Sequence, residues 1–286
     1  MRRPRGLALA ACVLATLSSP LMALEERREW EATYPLGSGG RLLVDLVAGE
    51  LVVDGYEGTE VRLHVRETLE ARSAEALAAA RREVDLEAGR DGDGVAIVAR
   101  GPFRDQDRRW VRGDTWQDRG YRVRYDLRLQ VPRMARVDLR TVNNGDVRLR
   151  QHHGPFAVRN VNGGVEVLGA VGAGTARTVN GPLRVRFAAL PPGACEFASV
   201  NGAVDVGFPS GLEADLAFQT LNGEIWSDFP YTLQPAKVAA EVDRKGRQLR
   251  RLATVVRIGG GGVDLAFETV NGNIYVRNLD VSGDSR

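Results

Sequence analysis

Residues 199–206 read Ser-Val-Asn-Gly-Ala-Val-Asp-Val, and residues 269–276 read Thr-Val-Asn-Gly-Asn-Ile-Tyr-Val. The heart of this phrase occurs six times. It stands as Asn-Asn-Gly-Asp-Val at 143–147, Val-Asn-Gly-Gly-Val at 161–165, Val-Asn-Gly-Pro-Leu at 179–183, Val-Asn-Gly-Ala-Val at 200–204, Leu-Asn-Gly-Glu-Ile at 221–225 and Val-Asn-Gly-Asn-Ile at 270–274. The aligned asparagines are Asn144, Asn162, Asn180, Asn201, Asn222 and Asn271, in steps of 18, 18, 21, 21 and 49. A fixed period near 20 residues marks a repeat architecture and outranks local propensity.

Each repeat alternates with period 2. Three residues after the Asn stand Val147, Val165, Leu183, Val204, Ile225 and Ile274, and five after stand Leu149, Val167, Val185, Val206, Ser227 and Val276. Between them lie Arg148, Glu166, Arg184, Asp205, Trp226 and Tyr275. Such alternation is a strand with one buried face. Four residues before the Asn stand Val158, Ala176, Phe197, Phe218 and Phe267, and Thr178, Ser199, Thr220 and Thr269 stand two before. The first repeat carries one extra residue, which a bulge absorbs.

Each unit is thus strand, Asn-Gly corner, strand and loop. The reading is an all-β, two-sheet β-solenoid of stacked ~20-residue coils, with inward Thr/Ser and Asn columns bonding as ladders. The Gly after each Asn supplies a positive backbone angle. Asn-Gly is also the strongest two-residue hairpin signal. A hairpin meander, however, gives no reason for Asn and Thr to recur at fixed columns.

Around this core the chain reads in order. Residues 1–23 have a basic head, an apolar core from Gly6 to Leu17 and a small-residue end, the layout of a secretory signal. Cleavage after Ala23 leaves 24–286 as a single domain. Leu9-Ala-Ala-Cys12 resembles a lipoprotein signal, but Val13 and Leu14 follow where small polar residues are usual. The region 24–102 caps the first coil. Within it 24–40 is a leader, 41–53 is a degenerate repeat with Ala48-Gly49 at the corner, and Ser73 caps one short helix. A strand pair follows around 89–94, where Asp91 and Asp93 lack the later ligands of a calcium loop. The repeat core spans 125–227, a hairpin insertion occupies 230–262 and the last repeat is 263–279. Gly259-Gly-Gly-Gly-Val-Asp264 has the spacing of a calcium-binding repeat, but a single copy reads as a turn.

The insertion 103–124 sets Trp110, Trp116 and Tyr121 among Arg109, Arg112 and further arginines. Arginine with aromatics binds anionic or sugar ligands through stacking and forked hydrogen bonds. Interleaved aspartates also allow a self-paired hairpin. Together with outward Trp226 and Tyr275 these residues form the candidate binding surface.

Removing Arg2, Arg3 and Arg5 from the 39 basic residues leaves 36 against 37 acidic ones, so bulk charge points to no nucleic-acid partner. Beyond the signal no apolar run approaches the ~20 residues of a membrane span, so the chain does not read as an integral membrane protein. Without Cys12 only Cys195 remains, in an inward column, as a buried thiol. His152-His153 would point to opposite faces of a strand, so no metal site is assigned. No cofactor or catalytic residue is assigned either, and the oligomeric state is open.

The phrase Thr-x-Asn-Gly-x-Ile/Val-x-Val, seen at 178–185, 199–206, 220–225 and 269–276, resembles the bacterial putative-adhesin beta-strand-repeat family. The resemblance covers roughly residues 42–279. It implies a β-solenoid at the cell envelope, periplasmic or surface-associated, of uncharacterised function. It offers no catalytic residues, and it does not account for 103–124. The expectation is therefore a non-enzymatic exported envelope protein, an adhesin-like scaffold or binding module for a polysaccharide or protein. The alternative is a polysaccharide-cleaving enzyme. For that, Glu166 and Asp205 stand two repeats apart, on the order of 10 Å at ~4.8 Å per rung, which is wide for a catalytic pair.

Overall fold

The computed structural model describes residues 23–37, 39–103, 115–143, 145–242 and 248–281. Residues 1–22, Asn144 and half of the 103–124 insertion, 104–114, lie outside them. The chain divides into two compact units, 1–145 and 146–286. The break falls at the first Asn-Gly corner, inside what the sequence reads as the repeat core.

The first unit contains β1 (Leu24–Pro35), β2 (Arg41–Asp45), β3 (Leu51–Tyr56), β4 (Glu60–Ala71), α1 (Ala74–Glu83), β5 (Asp85–Asp91), β6 (Gly94–Arg100), α2 (Thr115–Arg119), β7 (Tyr121–Pro132) and β8 (Arg136–Arg140). One layer runs β1-β4-β7-β3 and the other β5-β6-β2-β8. The degenerate repeat forms a rung, meaning one strand in each layer joined at a corner. β2 lies parallel to β8 with Val44 opposite Leu139, and β3 lies parallel to β7 with Leu51 opposite Leu127. Ala48 bridges to Asn143. Upstream of this corner the register therefore counts from Asn143. Downstream, Val147 pairs with Val165 and the register counts from Asn144. The extra residue is absorbed at the corner itself.

Two expectations need correction here. The 24–40 leader is largely a 12-residue strand, antiparallel to β4 from Leu24↔Ala71 to Pro35↔Glu60. Its charges, Glu-Glu-Arg-Arg-Glu at 25–29, hide the pattern, as is common on an edge strand. There is also a second helix, α2, at the end of the insertion. α1 begins at the expected cap: the Ser73 side chain accepts from the Ala76 amide.

The second unit contains β9 (Val147–Arg150), β10 (Phe156–Arg159), β11 (Val165–Ala170), β12 (Gly174–Asn180), β13 (Leu183–Phe187), β14 (Cys195–Asn201), β15 (Val204–Phe208), β16 (Ala214–Asn222), β17 (Ile225–Ser227), β18 (Tyr231–Val242), β19 (Gln248–Ile258), β20 (Val263–Asn271) and β21 (Ile274–Asn278). The strands flanking each corner lie in different layers, and neighbouring rungs run parallel and in register. Val165, Leu183 and Val204 pair in turn, as do Ala176 and Phe197. A meander of the repeats is excluded because, among the described residues, no Asn-Gly corner joins antiparallel partners.

The rung order differs from the chain order. One layer runs β9-β11-β13-β15-β21-β17 and the other β10-β12-β14-β20-β16-β19-β18. The last repeat therefore sits between the fourth and the fifth. Asn201 pairs with Asn271, and Asn222 pairs with Asn271 from the other side. The hairpin β18–β19 does not simply project. β19 lies antiparallel along β16 with Leu216 opposite Val256, which covers that edge. The buried Phe197, Phe267 and Phe218, far apart in sequence, become consecutive in the core with ring centroids 5.3 and 5.1 Å apart.

Candidate functional site

The corners come first, because they position everything displayed on the layers. Asparagine side chains bond rung to rung: Nδ2 of Asn180 donates to Oδ1 of Asn162 (2.8 Å), Asn201 to Asn180 (2.7 Å), Asn271 to Asn201 (2.8 Å) and Asn222 to Asn271 (2.8 Å). These side chains are exposed, which corrects the inward placement. The in–out alternation of β12, β14 and β16 ends two residues before the corner, where the backbone leaves the layer.

The Ser/Thr column does face the core, with Thr178, Ser199 and Thr269 buried and Thr220 half-buried. Its hydroxyls bond not to each other but to the corner glycines of the next rung. Thr178 donates to Gly163 O (2.8 Å), Ser199 to Gly181 O (3.1 Å), Thr269 to Gly202 O (3.2 Å) and Thr220 to Gly272 O (3.5 Å). Space also explains the glycines better than a positive angle does. A Cβ on Gly202 would strike the carbonyl oxygen of Gly181, and one on Gly272 that of Gly202.

With rungs stacked this closely, outward side chains form registered rows. In one layer the row runs Arg148, Glu166, Arg184, Asp205, Tyr275, Trp226. Glu166 lies 3.7 Å from Arg148, and Asp205 lies 2.9 Å from Arg186 and 3.6 Å from Arg277. The two carboxylates proposed for an enzyme thus sit two rungs apart, each facing arginine. Tyr275 accepts from Asn273 Nδ2 (3.0 Å) and stacks under Arg277, whose guanidinium carbon is 4.6 Å from the ring centroid. Trp226 lies directly opposite Tyr275 and is 55% exposed. Beside it, Leu221 and Ile225 are also exposed at the end of the stack. Ile225 occupies a core column but has no further rung to cover it.

In the other layer a groove of about 320 Å³ crosses β14, β20, β16 and β19. Ala217 and Ala266 are opposite each other on its floor, with Val255 and Glu196 beside them. Asp215 and Asp264 lie opposite each other at one side. Arg257 clasps Asp215 through two bonds (2.7 and 3.1 Å), and Arg177 pairs with Glu196. The sequence analysis did not identify this groove. It depends on small residues from repeats adjacent only in space. Beneath it Cys195 is buried, and burial pushes its thiol up to about 11, so it is not a thiolate nucleophile at neutral pH.

Of the insertion residues, Arg109, Trp110 and Arg112 lie outside the described residues, and Trp116 is on α2. Tyr121 does not belong to a binding surface. It is fully buried, and its hydroxyl donates to Glu83 (2.5 Å). The phenol is pushed well above its ordinary range by burial and by Glu83. His152 is buried, while Gly259–Gly262 form a turn closed by Gly261 N to Ile258 O (3.1 Å). Among the described residues no three metal-ligating side chains converge, and no helix is long and apolar enough to cross a membrane.

No protein-family model and no curated protein matches the chain. Solved structures similar to 87% of it include a putative cell adhesion protein from Clostridium sporogenes, at 10% identity, 98% of that chain and TM-score 0.37. A putative adhesin from Bacteroides fragilis follows at 7% identity, 96% of that chain and TM-score 0.29. A putative lipid binding protein from Parabacteroides distasonis follows at 8% identity, 94% of that chain and TM-score 0.22.

Proposed function

We propose that this chain is an exported, non-enzymatic binding protein of the cell envelope, adhesin-like in kind, whose repeats form a β-solenoid. The observation that carries this reading is the Trp226–Tyr275 pair at the exposed end of the stack. Residues 49 apart in sequence are brought side by side, on strands whose corner asparagines bond to each other. Rigid aromatics on a preorganised surface contribute contact area at low entropic cost. The alternating charges of the same row orient a partner more than they strengthen binding. Residues 1–23 serve as the export signal in this reading, and the partner is an envelope polysaccharide or protein. Arg109, Trp110, Arg112 and Trp116 form a second contact region, and the resemblance to the putative-adhesin family belongs to the same proposal.

The test is retention of residues 24–286 on washed cell wall, lipopolysaccharide and envelope protein extract. Saturable retention is expected, without sugar release, and reduced about tenfold or more in Trp226→Ala plus Tyr275→Ala, a loss of at least ~1.4 kcal/mol. Retention unchanged in that double variant removes the aromatic pair from the proposal. Sugar release moves the enzyme reading to the front.

A further inference from the structure

In the first unit the core-facing side of β4 reads Val61, Leu63, Val65, Glu67, Leu69, Ala71, and every one of these residues is buried. Glu67 is the one carboxyl in that file, only 7% exposed. The register carries the anomaly across the layer. Arg28 of β1 lies opposite Glu67, and so does the fully buried Tyr125 of β7. Rows on either side are mainly apolar: Trp30, Val65 and Leu127 on one, and Glu26, Leu69 and Val123 on the other. A polar row within an apolar face costs stability unless its groups are paired or hydrogen-bonded.

A cleft of about 210 Å³ opens over this row. Arg28, Trp30 and Glu67 line it from β1 and β4, with Arg81 from α1 and Asp85 from β5. Glu26 already holds both cations, Arg28 at 2.9 Å and Arg81 through Nε at 2.7 Å. Its carboxyl, pushed up by burial, is held below its ordinary value by these two guanidiniums. Glu67 is pushed the other way. Burial raises it, Tyr125 and Arg28 offset this in part, and Asp85 and Glu26 add to the rise.

We propose that this cleft binds a single neutral pyranose unit. Its volume is below the roughly 300 Å³ of a pocket for a drug-sized ligand, so one ring is the appropriate occupant. An anion would meet Glu67 and Asp85, and a cation would meet Arg28 and Arg81, so a neutral ligand fits best. The carboxyl and guanidinium groups of its lining match the donors and acceptors of ring hydroxyls. Trp30, half-buried at the wall, offers an apolar face to the ring's C–H side. The site is separate from the Trp226–Tyr275 surface, and neither proposal rests on the other.

Calorimetric titration of the full chain tests it. The probes are methyl glycosides of glucose, galactose, mannose and N-acetylglucosamine, with glucuronate and inorganic phosphate as anionic controls. Saturable binding of at least one neutral glycoside is expected, with both anions weaker. Trp30→Ala and Glu67→Leu should each weaken it at least about tenfold, the scale of one lost charged hydrogen bond. Glu67→Leu completes an apolar file and should melt no lower than the parent, so lost binding there is not lost folding. Trp226→Ala plus Tyr275→Ala should leave it unchanged. The proposal is overturned if no neutral glycoside binds up to about 10 mM, well above a millimolar constant. Unchanged binding in both cleft variants, or tighter binding of an anion, also overturns it.

Discussion

At the scale of the residue, the corner Asn and Gly have different jobs. The Asn side chains bond along the stack in water's reach, so an orphaned amide left by substitution can hydrate. The glycines sit where successive backbones touch, and no side chain fits there without moving a rung. Asn201→Ala should therefore cost about 1 kcal/mol. Gly202→Ala, by forcing a Cβ against Gly181, should cost about 3 kcal/mol. Thermal melts of the two variants check this, and an Asn201 effect equal to or above that of Gly202 contradicts it. The repeating Asn-Gly was legible in the sequence. The exposure of the Asn was not, because period-2 counting continues inward past the point where the backbone turns.

Glu67 allows a second residue-scale prediction. Its folded pKa is raised, so between its unfolded value and its raised folded value the native state binds the extra proton. Its contribution to stability is therefore greatest below the unfolded pKa and declines as pH rises through the folded one. The charged groups around it are Glu26 and Arg28 on β1, Arg81 on α1 and Asp85 on β5, with Tyr125 on β7. Glu67→Gln should flatten this part of the stability–pH curve above about pH 4.3. Urea unfolding of both proteins across that range measures it, and parallel curves would remove Glu67 as the source. The sequence reading passed over this residue, although it breaks an apolar period-2 file from Val61 to Ala71, and its register partners Arg28 and Tyr125 follow only from the sheet.

At the scale of the element, strand identity came from alternation, and strand neighbourhood did not. Five repeats at steps of 18 to 21 imply consecutive stacking, and the step of 49 implies only an insertion. Nothing local in 263–279 says that it lies between 195–208 and 214–227. The preference arises from pairing: β20 and β21 satisfy both open edges in each layer at once. β1 was missed because its charges mask its inward residues, Trp30 and Tyr34. Deleting 263–286 should strip amide-exchange protection from 214–227 while leaving 165–187 protected. Hydrogen exchange by mass spectrometry reads this directly, and retained protection of 214–227 would mean that β16 and β17 stand without the last rung.

At the scale of the whole molecule, the two units share the corner device but use it differently. The first surrounds one degenerate rung with long antiparallel strands and a helix, and its cleft lies among those additions. The second repeats the rung and displays its rows. The candidate surface was accordingly half legible: Trp226 and Tyr275 fell in the outward column on sequence grounds, whereas the Ala-floored groove required the spatial order.

That order has a consequence for how the protein is made. Translation delivers the fourth and fifth rungs well before the strands that separate them. Until residues 263–279 emerge, β14, β15, β16 and β17 each have an edge awaiting its final neighbour. Unpaired edges are where nascent chains mispair or recruit other chains. The last repeat thus fills the gap in both layers at once, and a polypeptide truncated before it leaves β14, β15, β16 and β17 without that shared neighbour.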